Sequence, residues 1–384
     1  MDMMLRSRKE RGVSTTVIAV VVILIVAAAA VAGYIAFYPG STATTTQTTT
    51  NTTSSSSSSG PSWQQAPDAA TVAAAQAEGG SLTIYVAFNN AAYTNVSQAF
   101  MKIYSFAHVS VVGSLFAGNL YTRLAGEQSS GHYVADIAGG CLSLMYPVLQ
   151  ANYTVPYATP QLKDYPAGTT DPNNAWTPTF NVASVIEYNT NLVTAANAPT
   201  SIADLAKPQY KGMLTFNNPS GLEDDNALFT ILEPSMGNSS WTQMMKGIAA
   251  NQPVLTATSS VAENNVNTGQ YGIGLATLSG AITAQRAGAP IAIVYTNPVP
   301  IDPCVEAIVK NAPHPAMAKL WLQWVASFAG QLTASQTFGL PSPLSAVNAA
   351  VNLPIPSTVT YASDPTLYSS PDHWKAVFQN IFGQ

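Results

Sequence analysis

Residues 81–138 determine the fold class of this 384-residue chain. Ser81–Phe88 reads S-L-T-I-Y-V-A-F; its alternating polar and apolar residues, rich in β-forming side chains, predict a strand that ends at Asn89-Asn90. The next segments predict, in order, a helix, a strand, a helix and a strand: Tyr93–Ser105, Val109–Val112, Asn119–Glu127 and Val134–Ala138. Alternation of this kind predicts an α/β fold, in which helices cover a parallel sheet.

The rest of the chain continues the same pattern. The predicted strands are Val182–Tyr188, Gly212–Phe216, Tyr271–Ala276, Ile291–Tyr295 and Ala307–Lys310. The predicted helices are Asn226–Leu232, Trp241–Ala249, Pro315–Phe328 and Trp374–Phe382. From Trp63 onward the chain is longer than one hydrophobic core usually holds, so the sequence predicts two domains.

The N-terminal region has the pattern of a membrane anchor. Val13–Tyr38 contains no charged residue, and a short basic segment stands immediately before it. A helix of that length crosses a hydrocarbon core of about 30 Å. Because Lys and Arg remain on the cytoplasmic side, we expect a cytoplasmic leader over residues 1–12, a transmembrane anchor over 13–38 and an extracellular globular part. A cleaved secretory signal fits less well, because the apolar part is long and no small-residue cleavage site stands out.

Residues 39–78 are expected to form a flexible linker. Ser41–Ser62 is almost entirely Ser and Thr, and such a segment has too little apolar surface to offset the entropy of ordering. Four asparagines begin an Asn-x-Ser/Thr sequon, which predicts a glycoprotein: Asn51, Asn95, Asn152 and Asn238.

Charged residues are scarce. They make up 9% of the chain, and the formal net charge is −5. No Lys/Arg cluster exists beyond the N-terminal segment, which speaks against a nucleic-acid partner. The low charge motivates the hypothesis of an acidic exterior, where carboxylates would be protonated. The residues leave open whether Cys141 and Cys304 form a disulfide or remain two buried thiols.

A series of short phrases resembles periplasmic-type solute-binding proteins of the type 2 fold. These are the receptors of ABC importers, in the subgroup that includes iron(III), polyamine and thiamine binders. Pro199–Gly212, which reads P-T-S-I-A-D-L-A-K-P-Q-Y-K-G, is the most specific match. The other matching phrases occur in the family's order: Leu82–Phe88, Gly118–Glu127, Ala135–Gly140, Val185–Asn191, Gly269–Leu275, Ile301–Lys310 and Pro313–Gln331. In addition, Lys9–Thr15 resembles the processing site of archaeal class III signal peptides, where cleavage after Gly12 would leave the anchor in place.

The resemblance, which covers Ser81 to Gln384, implies two α/β lobes joined by hinge strands, with a ligand held in the cleft. Lobe 1 is expected over residues 79–178 and, after the return of the chain, over 299–384 with the C-terminal helices. Lobe 2 is expected over 179–298. The implied partners are a small-molecule or ionic ligand and the permease subunits of an ABC importer, and the protein is expected to be monomeric.

The candidate ligand-binding residues follow predicted strands. In open parallel sheets, ligands bind beyond the carboxyl ends of the strands, where helix N-termini supply free N–H groups. The residues expected there are Asn89, Asn90, Ser114, Asn119, Gly140, Cys141, Asn218, Ser220 and Tyr271. The alternative for each is an ordinary role in a helix cap or a turn.

Two departures from the family bear on the ligand. Related iron binders place an adjacent tyrosine pair after a strand of the second lobe, whereas Leu275 is followed here by Ala276-Thr277-Leu278-Ser279. Relatives also place a Ser-Gly-Thr anion cradle where this chain has Leu222-Glu223-Asp224-Asp225. Such acids favour a helix N-terminus and would repel an anion. A cation or a polar organic solute is therefore expected rather than phosphate or sulfate.

No catalytic constellation is recognisable. His108, His132, His314 and His373 are scattered without metal-ligand spacing, and no Gly-x-Ser-x-Gly elbow occurs. Neither an enzyme nor a cofactor is predicted. Two other functions remain open from the sequence: a pilin-like or surface-layer subunit, and a binding lobe that serves as a sensor.

Overall fold

The computed structural model describes residues 60–115, 118–221, 227–355, 358–361 and 371–383, all within the compact unit Ser58–Gln384. The predicted leader and anchor, the first part of the predicted linker and the acidic stretch Leu222–Asp225 lie outside these residues. In the described ranges, no helix has both the length and the apolar character that a bilayer crossing requires.

The described elements alternate between strands and helices. The strands are β1 (Ser81–Val86), β2 (His108–Val112), β3 (Ile137–Cys141), β4 (Thr154–Val155), β5 (Thr177–Asn189), β6 (Leu214–Asn217), β7 (Val254–Thr256), β8 (Ile273–Thr277), β9 (Ile291–Val294), β10 (Val299–Val309) and β11 (Val359–Tyr361). The helices are α1 (Ala69–Ala77), α2 (Asn90–Ile103), α3 (Asn119–Ser130), α4 (Leu142–Gln150), α5 (Ala227–Met236), α6 (Asn238–Ala250), α7 (Ser259–Asn267), α8 (Leu278–Arg286), α9 (Pro315–Val325), α10 (Phe328–Phe338), α11 (Ser345–Ala350) and α12 (Pro371–Phe382).

Two long strands connect two sheets. The strand order is β2-β1-β3-β10-β5-β8-β6-β7. The strands β2, β1 and β3 are parallel to one another, and so are β8, β6 and β7, as predicted from the alternation of strands and helices. β5 and β10 are antiparallel to each other; β10 is also antiparallel to β3 and β4, and β5 to β8 and β9, whereas β11 pairs with β10 in parallel. The first half of β5 pairs with β10, and Ser184–Asn189 pairs with β8 and β9. β5 therefore belongs to both lobes, and the predicted boundary at residue 178 lies inside this strand.

Each lobe has its own hydrophobic core. In lobe 1, α2, α9 and α10 pack on one face of the sheet, and Phe100 makes edge contacts with Trp321 and Trp324 at centroid distances of 5.0 and 5.3 Å. In lobe 2, Phe216, Phe229 and the helices α5 and α6 form a separate core. Such aromatic contacts add about 0.5–1.5 kcal/mol each beyond the burial of their area.

The end of the chain packs on lobe 2, whereas the helices around Trp321 and Ala334 pack on lobe 1, so the prediction that residues 299–384 return to lobe 1 is corrected only for its last part. Leu353 and its neighbours pack on the core around Ile291 and Val299. Phe378 of α12 is fully buried against Trp241 and Phe229. The apolar face of α12 was predicted correctly, but a sequence pattern does not identify the surface on which that face packs.

The predicted linker extends too far. Residues 60–78 are folded: Asp68 caps the start of α1, and its carboxylate accepts a hydrogen bond from Thr71 N at 2.8 Å. Gln323 Nε2 donates to the same carboxylate at 2.8 Å, and Ala75 is fully buried on lobe 1. The alanine-rich composition that favours a helix also supplies a small apolar face for packing on α9.

Two carboxyl groups are buried without a cation beside them. Glu187 on β5 and Glu306 on β10 are both 0% exposed. Burial, and then the charge of Glu263, raises the pKa of Glu187 to about 8. Burial raises the pKa of Glu306 to about 8 against the opposing effect of a hydrogen bond from Trp321 Nε1. Both side chains are therefore protonated in the folded protein at neutral pH.

The two cysteines form a disulfide. Cys141 at the end of β3 faces Cys304 on β10 across the antiparallel ladder, and the structure joins their sulfur atoms. The bond closes a loop with a sequence separation of 163 residues. It joins β3 of the lobe 1 sheet to β10, one of the two strands that lead to lobe 2.

We predict that these two groups make the folded protein more stable as the pH falls from about 8 to about 4.3. An unfolded glutamate loses its proton near pH 4.3, whereas these two keep theirs to about pH 8, so folding is penalised by up to about 1.4 kcal/mol per pH unit and per group over that window. Glu187→Gln and Glu306→Gln should each raise the free energy of unfolding at pH 8 and leave it nearly unchanged at pH 4. Urea unfolding across this range measures the effect. If the free energy of unfolding changed with pH in the same way in both variants and in the parent, the prediction would be contradicted.

Removal of the disulfide should destabilise lobe 1. The double variant Cys141→Ser, Cys304→Ser is expected to lose about 3–5 kcal/mol of unfolding free energy, because the unfolded chain regains the entropy of a long loop. Unfolding of the parent with and without a reductant is the matched control. A double variant as stable as the oxidised parent would contradict this.

Candidate functional site

The carboxyl ends of both parallel sheets meet at the middle of β5. In lobe 1, β3 ends at Cys141, which aligns through Cys304 with Phe180 on β5. In lobe 2, β8 ends at Thr277, which aligns with Ser184. These two β5 positions are four residues apart, about 13 Å at roughly 3.3 Å per residue. The ends of the two sheets thus face each other across a short stretch of one strand, between Phe180 and Ser184 of β5. The space beside this stretch is called the gap below.

Four predicted residues follow β1 and β2 at the carboxyl edge of the lobe 1 sheet. Asn89 Oδ1 accepts a hydrogen bond from Ala92 N at 3.0 Å and caps α2. Asn90 Oδ1 accepts from Gly113 N at 2.9 Å and so joins the start of α2 to the end of β2. Ser114, at φ 60°, follows β2, and Asn119 begins α3. All four side chains are exposed, so their capping roles leave them accessible to a ligand.

Gly140 and Cys141 reach the same edge but cannot offer side-chain groups. Both are buried, and a Cβ on Gly140 would lie 3.3 Å from Ala87 Cβ. The prediction that Cys141 contacts the ligand is corrected, because its sulfur is held in the disulfide with Cys304. Beyond them, α4 begins with backbone N–H groups directed at the gap.

The lobe 2 side carries amide and hydroxyl groups. Asn218 follows β6, and its Oδ1 accepts a hydrogen bond from Ser220 N at 2.9 Å. Thr277 caps α8 through Oγ1, which accepts from Gly280 N at 3.2 Å. Glu263 of α7 lies behind this cap, where its Oε1 accepts from Thr277 N at 3.1 Å. Thr277 was not among the predicted site residues.

Tyr271 lies at the wrong edge of the lobe 2 sheet. It precedes β8, and its backbone N donates to Asn265 O at the amino end of the strand. The gap is at the other end of β8, beside Thr277. The prediction treated a residue before a strand as if it followed one, so Tyr271 is removed from the candidate site.

The connecting strands carry polar groups that were not predicted from the sequence. Asp302 of β10 is 2% exposed, and Ser143 at the start of α4 donates a hydrogen bond to its Oδ2 at 2.7 Å. Asn181 of β5 donates to Tyr361 Oη at 3.4 Å, and its own Oδ1 is buried without a protein partner. The sequence did contain a sign of Asp302. Val299–Val309 reads V-P-I-D-P-C-V-E-A-I-V, and a carboxylate buried in an apolar strand is unfavourable unless it has a polar partner.

The gap is polar and contains no basic side chain in the segments described here. Residues 89–90, 113–115, 118–119, 141–143, 217–221 and 277–280 include neither Lys nor Arg. Asp302 and Glu263 add carboxylates, while the N-termini of α2, α3, α4 and α8 add partial positive charge. In the described part of the chain, no cluster of three or more His, Cys, Asp or Glu has metal-binding geometry.

A family of known proteins matches the chain. The family described as bacterial extracellular solute-binding protein matches residues 143–362, more than half of the 384 residues. The chain belongs to this family. As the resemblance predicted, its function is that of an extracellular solute receptor of an ABC importer, and the lobes and the gap described above are the parts that such a receptor needs. No protein of curated function matches the sequence.

Solved structures of solute-binding proteins confirm the two-lobed fold. One is the Trichodesmium protein IdiA (FutA) in complex with iron and citrate, with a TM-score of 0.67 and 18% identity over 79% of this chain and 99% of that one. Another is the ferric iron-binding protein A of Mannheimia haemolytica in an open conformation, with a TM-score of 0.67 and 15% identity over 79% and 98%. A third is AfuA of Actinobacillus pleuropneumoniae with bound fructose-6-phosphate, with a TM-score of 0.63 and 17% identity over 79% and 99%. At these identities the likeness concerns the fold alone.

We predict that Ser143→Ala destabilises this solute-binding protein by about 1–3 kcal/mol, because the buried Asp302 carboxylate loses a hydrogen-bond donor. Ser129→Ala, which removes a hydroxyl from an exposed site on α3, is the matched control and should change little. Urea unfolding at pH 6 measures both. Equal stability of the two variants would mean that Ser143 does not support Asp302.

Proposed function

We propose that this receptor captures a cation or an uncharged polar organic solute between its lobes at the middle of β5. The observation that carries the proposal is the meeting of the two sets of strand ends, aligned with Phe180 and Ser184, in segments that contain no basic residue. Asn89, Asn90, Ser114, Asn119, Asn218 and Ser220 supply amide and hydroxyl groups, and Asp302 and Thr277 complete the set.

The charges in the gap separate the classes of ligand. A small anion such as phosphate or sulfate would meet Asp302 without a Lys or Arg to offset the repulsion. A cation gains from the same carboxylate, and a hydroxyl-rich or amine-bearing solute gains from the asparagines and serines. Ferric binding through phenolates is not part of the proposal, because Thr277 and Leu278 stand where a tyrosine pair would be needed.

Closure of the lobes is the second part of the proposal. β5 and β10 connect the lobes, and rotation about them would bring the α8 end towards the α2 and α4 ends, so that the solute is enclosed and presented to a permease. We further propose that an archaeal membrane holds the monomeric protein through Val13–Tyr38, with the globular part outside the cell. The exposed positions of the sequon residues Asn95, Asn152 and Asn238 are consistent with that side of the membrane.

A thermal-shift screen of residues 60–384 tests the ligand class. Divalent cations, polyamines, sugars, phosphate and sulfate are compared, and a ligand at 100 times its dissociation constant should add about 2.7 kcal/mol of stability. We expect a shift with a cation, a polyamine or a sugar, and none with phosphate or sulfate. A shift with the anions alone would contradict the proposed ligand class.

Two substitutions then locate the binding. Asn90→Ala and Asp302→Asn should reduce the ligand-induced shift, because they remove polar groups from the gap. Tyr271→Ala, at the opposite end of β8, is the control and should keep the shift. Loss of the shift in Tyr271→Ala with retention in the other two would move the site away from the carboxyl ends.

A further inference from the structure

A second cavity lies on the surface of lobe 2, away from the gap. It has a volume of about 320 Å³, within the range of roughly 300–1,000 Å³ typical of small-molecule sites. It opens between α6 and α12 and is lined chiefly by Asn238, Trp241, Lys246, His373 and Trp374. The solute-binding function makes no use of it.

The cavity combines aromatic faces with hydrogen-bonding groups. Trp241 and Trp374 meet at a centroid distance of 5.5 Å, with their rings at 70°. Trp241 is buried and donates to Phe229 O at 2.7 Å, whereas Trp374 is half-buried. Lys246 and Glu233 add a donor and an acceptor to the wall. A sugar ring has apolar C–H faces and a hydroxyl edge, and this wall offers partners for both.

Asn238 connects the cavity to a modification. It is the first residue of α6, it is exposed, and it begins the sequon Asn238-Ser239-Ser240. Trp241 and Thr242, three and four positions later, lie on the same face of the helix. Thr242 Oγ1 donates to Asn238 Oδ1 at 3.3 Å, a bond that does not use Nδ2, the atom to which a glycan is attached.

We propose that Asn238 is N-glycosylated and that the first sugar of its glycan packs in this cavity against Trp374. In the transfer, Nδ2 forms a bond to C1 of a sugar supplied by a glycosyl phosphate donor. The C1–O bond to the phosphate breaks, the phosphate leaves with the electron pair, and Nδ2 loses one proton. The proposal rests on the extracellular location of the domain and not on the identity of the solute.

A protein partner fits this cavity less well than a glycan. Docking surfaces for proteins usually present a contiguous apolar patch. Trp374, Val377 and Ile381 line the cavity, but they are only partly exposed. The large apolar side chains that are most exposed in the described chain lie elsewhere: Ile103, Tyr121, Val134, Val155, Leu192, Val254 and Val261. A sugar attached to Asn238, by contrast, would already lie beside the cavity, because Asn238 lines it.

Peptide mass mapping of the full chain, purified from the cells that make it, tests the modification. The peptide that contains Asn238 should carry sugar mass in the parent. It should also do so in Ser239→Ala, which keeps the sequon as Asn-Ala-Ser. The sugar mass should be absent in Ser240→Ala, which keeps Asn238 but destroys the sequon. An unmodified Asn238 in the parent would overturn the proposal.

Amide hydrogen exchange tests the packing. Exchange in α12 should be about three- to tenfold slower in the parent and in Ser239→Ala than in Ser240→Ala. Trp374→Ala should keep the sugar mass, and its exchange should become insensitive to the Ser240→Ala change. A modified Asn238 with equal exchange in the parent and Ser240→Ala would overturn the packing. Solute binding enters neither measurement, so the ligand assignment and this proposal can fail separately.

Discussion

The antiparallel pairing of β5 with β10 is the constraint on which the rest of the structure depends. β5 is long enough to pair with strands of both sheets, and the register places Cys141 and Thr277 only four residues apart along β5. Because the outer strands of each group are parallel, their carboxyl ends and the helix N-termini that follow them point towards this short stretch. A slip of the register would separate the two sets of strand ends, so the proposed position of the solute depends on this main-chain ladder.

The same two strands, β5 and β10, carry buried carboxyl groups within an otherwise apolar core. Asp302 is held by Ser143, whereas Glu187 and Glu306 are buried with a raised pKa. A chain with 9% charged residues has few cations to pair with such acids, so protonation rather than an ion pair keeps them neutral. This agrees in direction with the hypothesis of an acidic exterior, because stability that depends on protonated acids increases as the pH falls.

Much of the fold could be read from the sequence, and the reasons for the misses are physical. The strand at Ser81–Val86 and the helix at Asn90–Ile103 were predicted because their apolar spacing is regular. Only Ala307–Lys310 of β10 was predicted, because Pro300, Asp302 and Pro303 hide the strand's first half in a local pattern. The helix predicted over Pro315–Phe328 ends at Val325, because Ser327 caps a second helix, α10, with its hydroxyl at Gly330 N.

The site was predicted in part for the same kind of reason. Asn89 and Asn90 follow a strand directly, so their edge of the sheet is fixed by local sequence. Tyr271 precedes its strand, and Asp302 comes to the gap only through pairing with residues far away in the chain. The local sequence marks Asp302 as an unusual carboxylate in an apolar strand, but it does not identify the distant residues that lie beside it.

The disulfide has a mechanical consequence for the movement of the lobes. It joins β10 to β3 at Cys304, beside the register shift between Cys304 and Val305, and so holds this part of β10 to the lobe 1 sheet. In the proposed closure, bending would fall on the few residues between the disulfide and the start of the lobe 2 ladder at Ser184, a stretch that includes Pro303, Asp302 and Asn181. The proposed hinge and the proposed solute contacts would then share residues, and a bound solute would act directly on the hinge.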